Sequence, residues 1–170
     1  MKKLTLITVF TMLLSISNTF AQAKTIVGVA AGNDDFSTLV TAVQAADLVE
    51  TLNSEGPFTV FAPTNEAFEK LPEGTVAGLL EPGSKDALTG VLTYHVVAGK
   101  YDAASVLKAI EDNSGSFTAK TVQGGEIVLS LNDGNVLLTD EKGNGSTVIM
   151  ADVAASNGII HAIDTVVMPE

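Results

Sequence analysis

The chain has 170 residues, about one domain by length, and 46% of them are apolar, enough to build a core. Its 20 acidic residues against nine lysines, with no arginine, give a net charge of −11. That balance excludes the clustered cations nucleic acid requires and disfavours docking on anionic membranes. With no cysteine there is no disulfide framework, thiol nucleophile or thiolate metal site.

Residues 1–23 read as a Sec export signal. Lys2 and Lys3 form a positive start, Leu4 to Ile16 is an uncharged, mostly apolar run, and Ala21-Gln22-Ala23 is an A-x-A cleavage pattern. The run is short of the roughly 20 apolar residues a spanning helix needs. Cleavage leaves residues 24–170 as a single domain with a net charge of −13 and no later membrane span. The expected location is the periplasm, the medium or the cell surface.

Thr25 to Ala31 reads as an edge strand or a lead-in segment. Asn33-Asp34-Asp35 offers helix-capping chemistry, and Phe36, Leu39, Val40 and Val43 repeat on one helical face. Asp47 is positioned to cap a second short helix through Leu52. Phe58 to Ala62 is β-branched and aromatic and predicts a buried strand; Pro63 ends it and Thr64 starts a helical turn. Short helices are expected over 75–80, from Ser84 as cap through Leu92, and from Asp102 as cap through Ile110. Tyr94 to Val97 reads as a switch to strand.

From Phe117 onward the pattern changes to strands and tight turns. Segments 118–122, 126–131, 136–139, 147–153 and 159–168 are the expected strands, and Asn132-Asp133-Gly134-Asn135 is a strong hairpin turn. Gly158 sits in a turn where a positive φ is expected. Helices crowd the first half and a meander the second, which predicts an α+β fold.

Three segments carry a resemblance. They are Gly56 to Phe68 (GPFTVFAPTNEAF) followed by Leu71-Pro72, Leu92 to Val97 (LTYHVV) followed by Gly99, and Asn157 to Asp164 (NGIIHAID) ending in Val166-Val167-Met168-Pro169. In this order and spacing they resemble the fasciclin-like domain family, over nearly all of Ile26 to Pro169. The resemblance implies a twisted β-wedge of two small sheets with helices packed along one side. It also implies a non-enzymatic extracellular module for adhesion to a surface, matrix or glycan, with homotypic association as a further option. In animal relatives, integrin contact is assigned to the tyrosine-histidine segment and to an Asp-Ile pair. The matching positions here are Tyr94, His95, Asp152 and Val153, with Met150 and Ala151 replacing the animal Glu and Pro.

Other chemistry is less well served. His95 and His161 lie in apolar segments, which predicts buried rings bonded to backbone or a neighbouring side chain. No metal-ligand spacing joins them, and no cofactor is implied. A hydrolase would recruit Ser105 or Ser156, but neither sits in a G-x-S-x-G elbow. Asp140, Lys142, Asn144 and Gly145 follow a calcium loop only superficially, since Lys142 and Ala151 stand where acids are needed. Asn144-Gly145-Ser146 is formally a glycosylation sequon but reads more economically as a β-turn. The alternative to an adhesion module is an envelope structural or stress-related protein with no discrete ligand.

Overall fold

The computed structural model describes residues 24–169; the export signal expected over 1–23 lies outside the described residues. The first half is helical: α1 (Ile26–Ala30), α2 (Ser37–Ala45), α3 (Val49–Leu52), α4 (Asn65–Glu69), α5 (Thr75–Leu80), α6 (Lys85–Tyr94) and α7 (Ala103–Asp112). The strands are β1 (Phe58–Pro63), β2 (Val96–Ala98), β3 (Ser116–Lys120), β4 (Glu126–Asn132), β5 (Asn135–Thr139), β6 (Gly145–Ala155) and β7 (Gly158–Ile163). The fold is α+β, as the patterning predicts.

The strands run in the order β2-β1-β7-β6-β5-β4-β3. Only β1 and β7 pair in parallel; every other neighbour is antiparallel. β6 belongs to two sheets. Its first three residues pair with β5, while Val148 onward pairs with β7. The ends of the order approach each other through a Val97–Thr121 bridge and the bond from Val122 N–H to the Val96 carbonyl, 2.7 Å. The result is a curled wedge.

Two cores follow from the two-residue period of β1 and β7. Val60, Ala62, Ile160 and Ala162 face the helices, where they meet Leu39 and Val43 of α2, Phe68 of α4 and Leu88 and Leu92 of α6. Phe61 and Ile163 face the inside of the curl, with Ile127, Leu129 and Leu138, and with Val106 and Ile110 of α7. β1 and β7 are thus buried on both faces, which explains their near-continuous apolar sequences.

Several local expectations change. The segment after Lys24 is helical, because the Thr25 hydroxyl accepts the Gly28 N–H at 3.3 Å and Ile26 and Ala30 bury one face. Asp47 does not cap α3; it adopts φ 55°, a left-handed linker conformation, and Leu48 takes the cap position. Ser84 makes no side-chain capping bond. Tyr94 stays in α6, so the strand begins at Val96, and β7 ends at Ile163 rather than 168. Thr64 and Asp102 do cap, accepting the N–H groups of Ala67 and Ser105. Asp133 and Gly134 both have positive φ, the primed turn that matches strand twist.

Gly158 is required for a different reason from the one expected. Its φ is not positive. Instead a Cβ there would lie 2.1 Å from the Phe58 carbonyl oxygen and 2.9 Å from Ile26 Cδ1. The parallel β1–β7 pair closes only on a bare backbone at this point. Gly158→Ala is therefore expected to destabilise by about 2–3 kcal/mol through forced backbone displacement. By contrast Gly78→Ala in α5, where a Cβ meets nothing within 4 Å, is expected to stabilise by about 0.5–1 kcal/mol. Urea denaturation of the two variants checks both signs.

Candidate functional site

Tyr94 and His95 end α6 and turn inward. Tyr94 is 0% exposed. Its hydroxyl donates to the Glu126 carbonyl at 2.7 Å and accepts the Glu141 N–H at 3.3 Å, tying α6 to β4 and the β5–β6 turn. Burial pushes its phenol up to about 12. Gly125 lies against the ring, where a Cβ would come within 2.8 Å of Cε2.

His95 is 2% exposed. Its Nδ1 lies 2.8 Å from the Val91 carbonyl, and its Nε2 lies 3.3 Å from the Val167 nitrogen. A carbonyl only accepts and an N–H only donates, so the ring is the neutral Nδ1–H tautomer. Burial lowers its pKa to about 4, against a rise from the Val91 bond and the Asp140 charge.

His161 on β7 carries the opposite tautomer. Its Nε2–H donates to the Tyr101 carbonyl at 2.7 Å and its Nδ1 accepts the Asp152 N–H at 3.3 Å. The ring stacks on Phe61, with centroids 5.7 Å apart. All four imidazole nitrogens of the two histidines are thus bonded to backbone. None is left to accept a proton from Ser105 or Ser156. Among the described residues no group of three or more His, Asp or Glu side chains converges on a metal position.

Asp152 is exposed and has φ 59°. Two interactions hold it there: the His161 bond to its N–H, and its carboxylate, which accepts the Ala103 N–H at 2.7 Å at the start of α7. Val153 is half-buried and packs against the helix-facing core. The four candidate positions therefore divide. Tyr94 and His95 are interior groups, Val153 is partly so, and Asp152 reaches solvent.

The segment before Asp152 is the part sequence patterning missed. A regular strand sends alternate side chains to opposite faces. Here Ile149, Met150, Ala151 and Asp152 are all exposed in succession. The register of β6 on β7 slips between Val148 and Met150 and again between Met150 and Val153. These irregularities bow the strand outward and turn Ile149 and Met150 to solvent, at 56% and 48% exposure. Bulges leave no simple trace in a run such as Thr147 to Val153, so the sequence reads as an ordinary strand.

Asp140, the first position of the superficial calcium loop, is buried. Its carboxylate accepts the N–H groups of Lys142 (3.0 Å), Asn144 (2.7 Å) and Met168 (3.0 Å) and the Asn144 side-chain amide (3.0 Å). It is an anchor for backbone donors. The sequon asparagine is held in this same loop, and Ser146 is buried.

Comparisons with known proteins agree with the geometry. The fasciclin domain family profile matches residues 34–169. Protein sll1483 of Synechocystis sp. is 56% identical over 147 residues, covering 86% of this chain and 74% of that protein. Immunogenic protein MPB70 of Mycobacterium bovis is 39% identical over 149 residues, covering 84% of this chain and 68% of that protein. Among solved structures, a FAS1 domain pair from the insect cell adhesion molecule Fasciclin I superposes with a TM-score of 0.75 at 20% identity. It covers 85% of this chain and 51% of that one, a likeness of fold.

Two outcomes follow from the buried groups. Tyr94→Phe removes one donor and one acceptor and is expected to cost about 1–3 kcal/mol with the fold retained. Unfolded histidine takes up its proton near pH 6.5, folded His95 only near 4. Between those values the unfolded chain binds the extra proton. Stability is therefore expected to fall as the pH drops from 6.5 to 4, by about 1.4 kcal/mol per pH unit from this residue. His95→Gln should flatten the slope by that amount in denaturation curves measured across this range.

Proposed function

Because the chain belongs to the fasciclin domain family, we propose that it is an exported, non-catalytic module that mediates adhesion by binding a surface, matrix component or glycan. The observation that carries this reading is the bowed segment Ile149–Asp152. It is an exposed apolar patch with a carboxylate at its end, built by two register slips rather than left over by packing. Isolated exposed apolar residues need no explanation. Two neighbouring ones on a deformed strand resemble the centre of a small interface, where Met adapts to varied partners.

Among the four candidate residues, Asp152 is the one whose side chain a partner reaches directly, and Val153 fixes the end of the segment on the core. Tyr94 and His95 support the face from within the fold. The net charge of the processed chain, −13, favours a partner with a basic rim and disfavours an acidic one. The export signal over 1–23 supports a periplasmic or extracellular setting. No helix among the described residues is long and apolar enough to cross a membrane.

The test is a binding screen with purified residues 24–170 against immobilised glycans, matrix proteins and the protein itself, with and without calcium. The expected result is a saturable hit that Ile149→Lys with Met150→Lys weakens by about tenfold or more, while the fold is unchanged. A folded protein that binds nothing across these panels would favour an envelope component with no discrete ligand. Export is checked separately: N-terminal sequencing of the protein recovered outside the cytoplasm is expected to begin at Lys24.

A further inference from the structure

The six residues after β7 are fastened in part by side chains whose acceptor capacity a proton reduces or removes. Asp164 accepts the Thr147 N–H at 2.8 Å and pairs with Lys70 at 3.3 Å. Val167 donates its N–H to His95 Nε2, and Met168 donates its N–H to the Asp140 carboxylate. Three bonds at the start of the segment are insensitive to protons: the Asp164 N–H donates to the Thr147 carbonyl at 3.1 Å, the Thr165 N–H to the Ser146 hydroxyl at 3.2 Å, and that hydroxyl to the Thr165 carbonyl at 2.8 Å. Val166 and Val167 are both buried, one in each core. This short segment therefore plugs the helix-facing core and the curl at once.

We propose that residues 164–169 form an acid-released clasp, which detaches before the rest of the domain when a proton occupies the Nε2 lone pair of His95, with Asp164 weakening it further at lower pH. The chemistry has one direction. Protonated Nε2 is a donor facing the Val167 N–H donor, and the two repel. A protonated Asp164 gives up the charge that holds Lys70. Both losses act on the same six residues.

The surroundings set the order of events. Around His95, the tail contributes Val167, α6 contributes the Val91 carbonyl, and β1 contributes the Phe61 N–H, bonded to the His95 carbonyl, and the apolar Val60. Helices α1 and α2 present Ile26, Leu39 and Val43 to the cavity it borders, all apolar. The charged groups at the junction are Asp140 and Glu141 from the β5–β6 turn, Asp164 in the tail, and Lys70 after α4. Tyr94 precedes His95 and its hydroxyl meets the Glu141 N–H. Burial resists protonation of His95 and holds it at about 4 in the intact fold, whereas the released ring takes its proton near its ordinary 6.5, so acid in this range favours the released tail. Burial also raises Asp164, but the Thr147, Lys70 and Thr165 bonds outweigh it and leave Asp164 below the usual carboxylate range. β1 and β7 are joined instead by backbone ladders that no proton in this range disrupts.

Hydrogen exchange of the wild-type protein, residues 24–170, from pH 7 to pH 4 tests this, with each rate corrected for its intrinsic pH dependence. The expected result is that Val167 and Met168 lose protection by at least about tenfold at a pH where β1 and β7 amides keep theirs, the effect of one pH unit on one linked proton. Loss of protection at one common pH for tail and strands would overturn the proposal, as would a tail that stays protected down to pH 4. In a folded His95→Gln variant the release is expected at lower pH. Release at the wild-type pH in that variant would remove His95 from the clasp.

Discussion

The structure depends on the parallel pairing of β1 with β7. These strands come from opposite halves of the described chain, yet they share a register of six residue pairs from Phe58–Gly158 to Pro63–Ile163. Their alternate side chains supply both cores, so neither core exists until they meet. The pairing is long-range, and its loop-closure entropy is recovered only when helices and meander pack onto the two faces. Gly158 shows how close the approach is: the Phe58 carbonyl occupies the space a side chain would need. Asn157 beside it joins the remaining pieces. Its side-chain amide donates to the Leu52 carbonyl at 2.7 Å and to the Ser54 carbonyl at 3.0 Å, and its side-chain Oδ1 accepts the Ile26 N–H at 2.9 Å.

Around this pair the interior is not purely apolar, and its polar members are all occupied. Among the described residues no buried side-chain nitrogen or oxygen lacks a hydrogen-bond partner. Thr59 donates to the Gly99 carbonyl and accepts the Tyr101 N–H. Tyr94, His95, Asp140 and His161 hold backbone groups that strands and helices leave unpaired at their ends. A buried polar group without such a partner would cost more than the bond returns. Each of these residues therefore fixes a place where a regular element stops.

Much of this was legible in the sequence, and the reasons are specific. Strand and helix types followed apolar period and turn chemistry; Phe58 to Ala62, the Asp133-Gly134 hairpin and the Thr64 and Asp102 caps appear where those signals place them. The failures lie where tertiary contact overrides local preference. Ile26 to Ala30 has β-branched residues typical of a strand, but capping by Thr25 and burial of Ile26 and Ala30 make it helical. Ser84 has capping chemistry, yet its side chain makes no capping bond. The burial of Tyr94 and His95 was foreseeable from their apolar neighbours. The outward bow of β6 was not, because a bulge depends on the register of the strand beside it and no single strand encodes that.

The same division bears on what the shared motifs mean. Tyr94, His95, Asn157, Gly158 and His161 all sit inside the family-like segments, and each has a structural task that explains its residue type. A sequence match across such positions reports the fold, and a fold by itself does not carry a partner. Partner choice must come from surface that packing leaves free. In this chain Ile149 and Met150 are such surface, bracketed by buried β7 behind them and by Asp152 locked onto α7 beside them. A rigid frame of buried histidine and tyrosine bonds thus presents a short strand segment whose outward side chains can change without disturbing either core. That separation leaves the choice of partner to surface residues that neither core constrains.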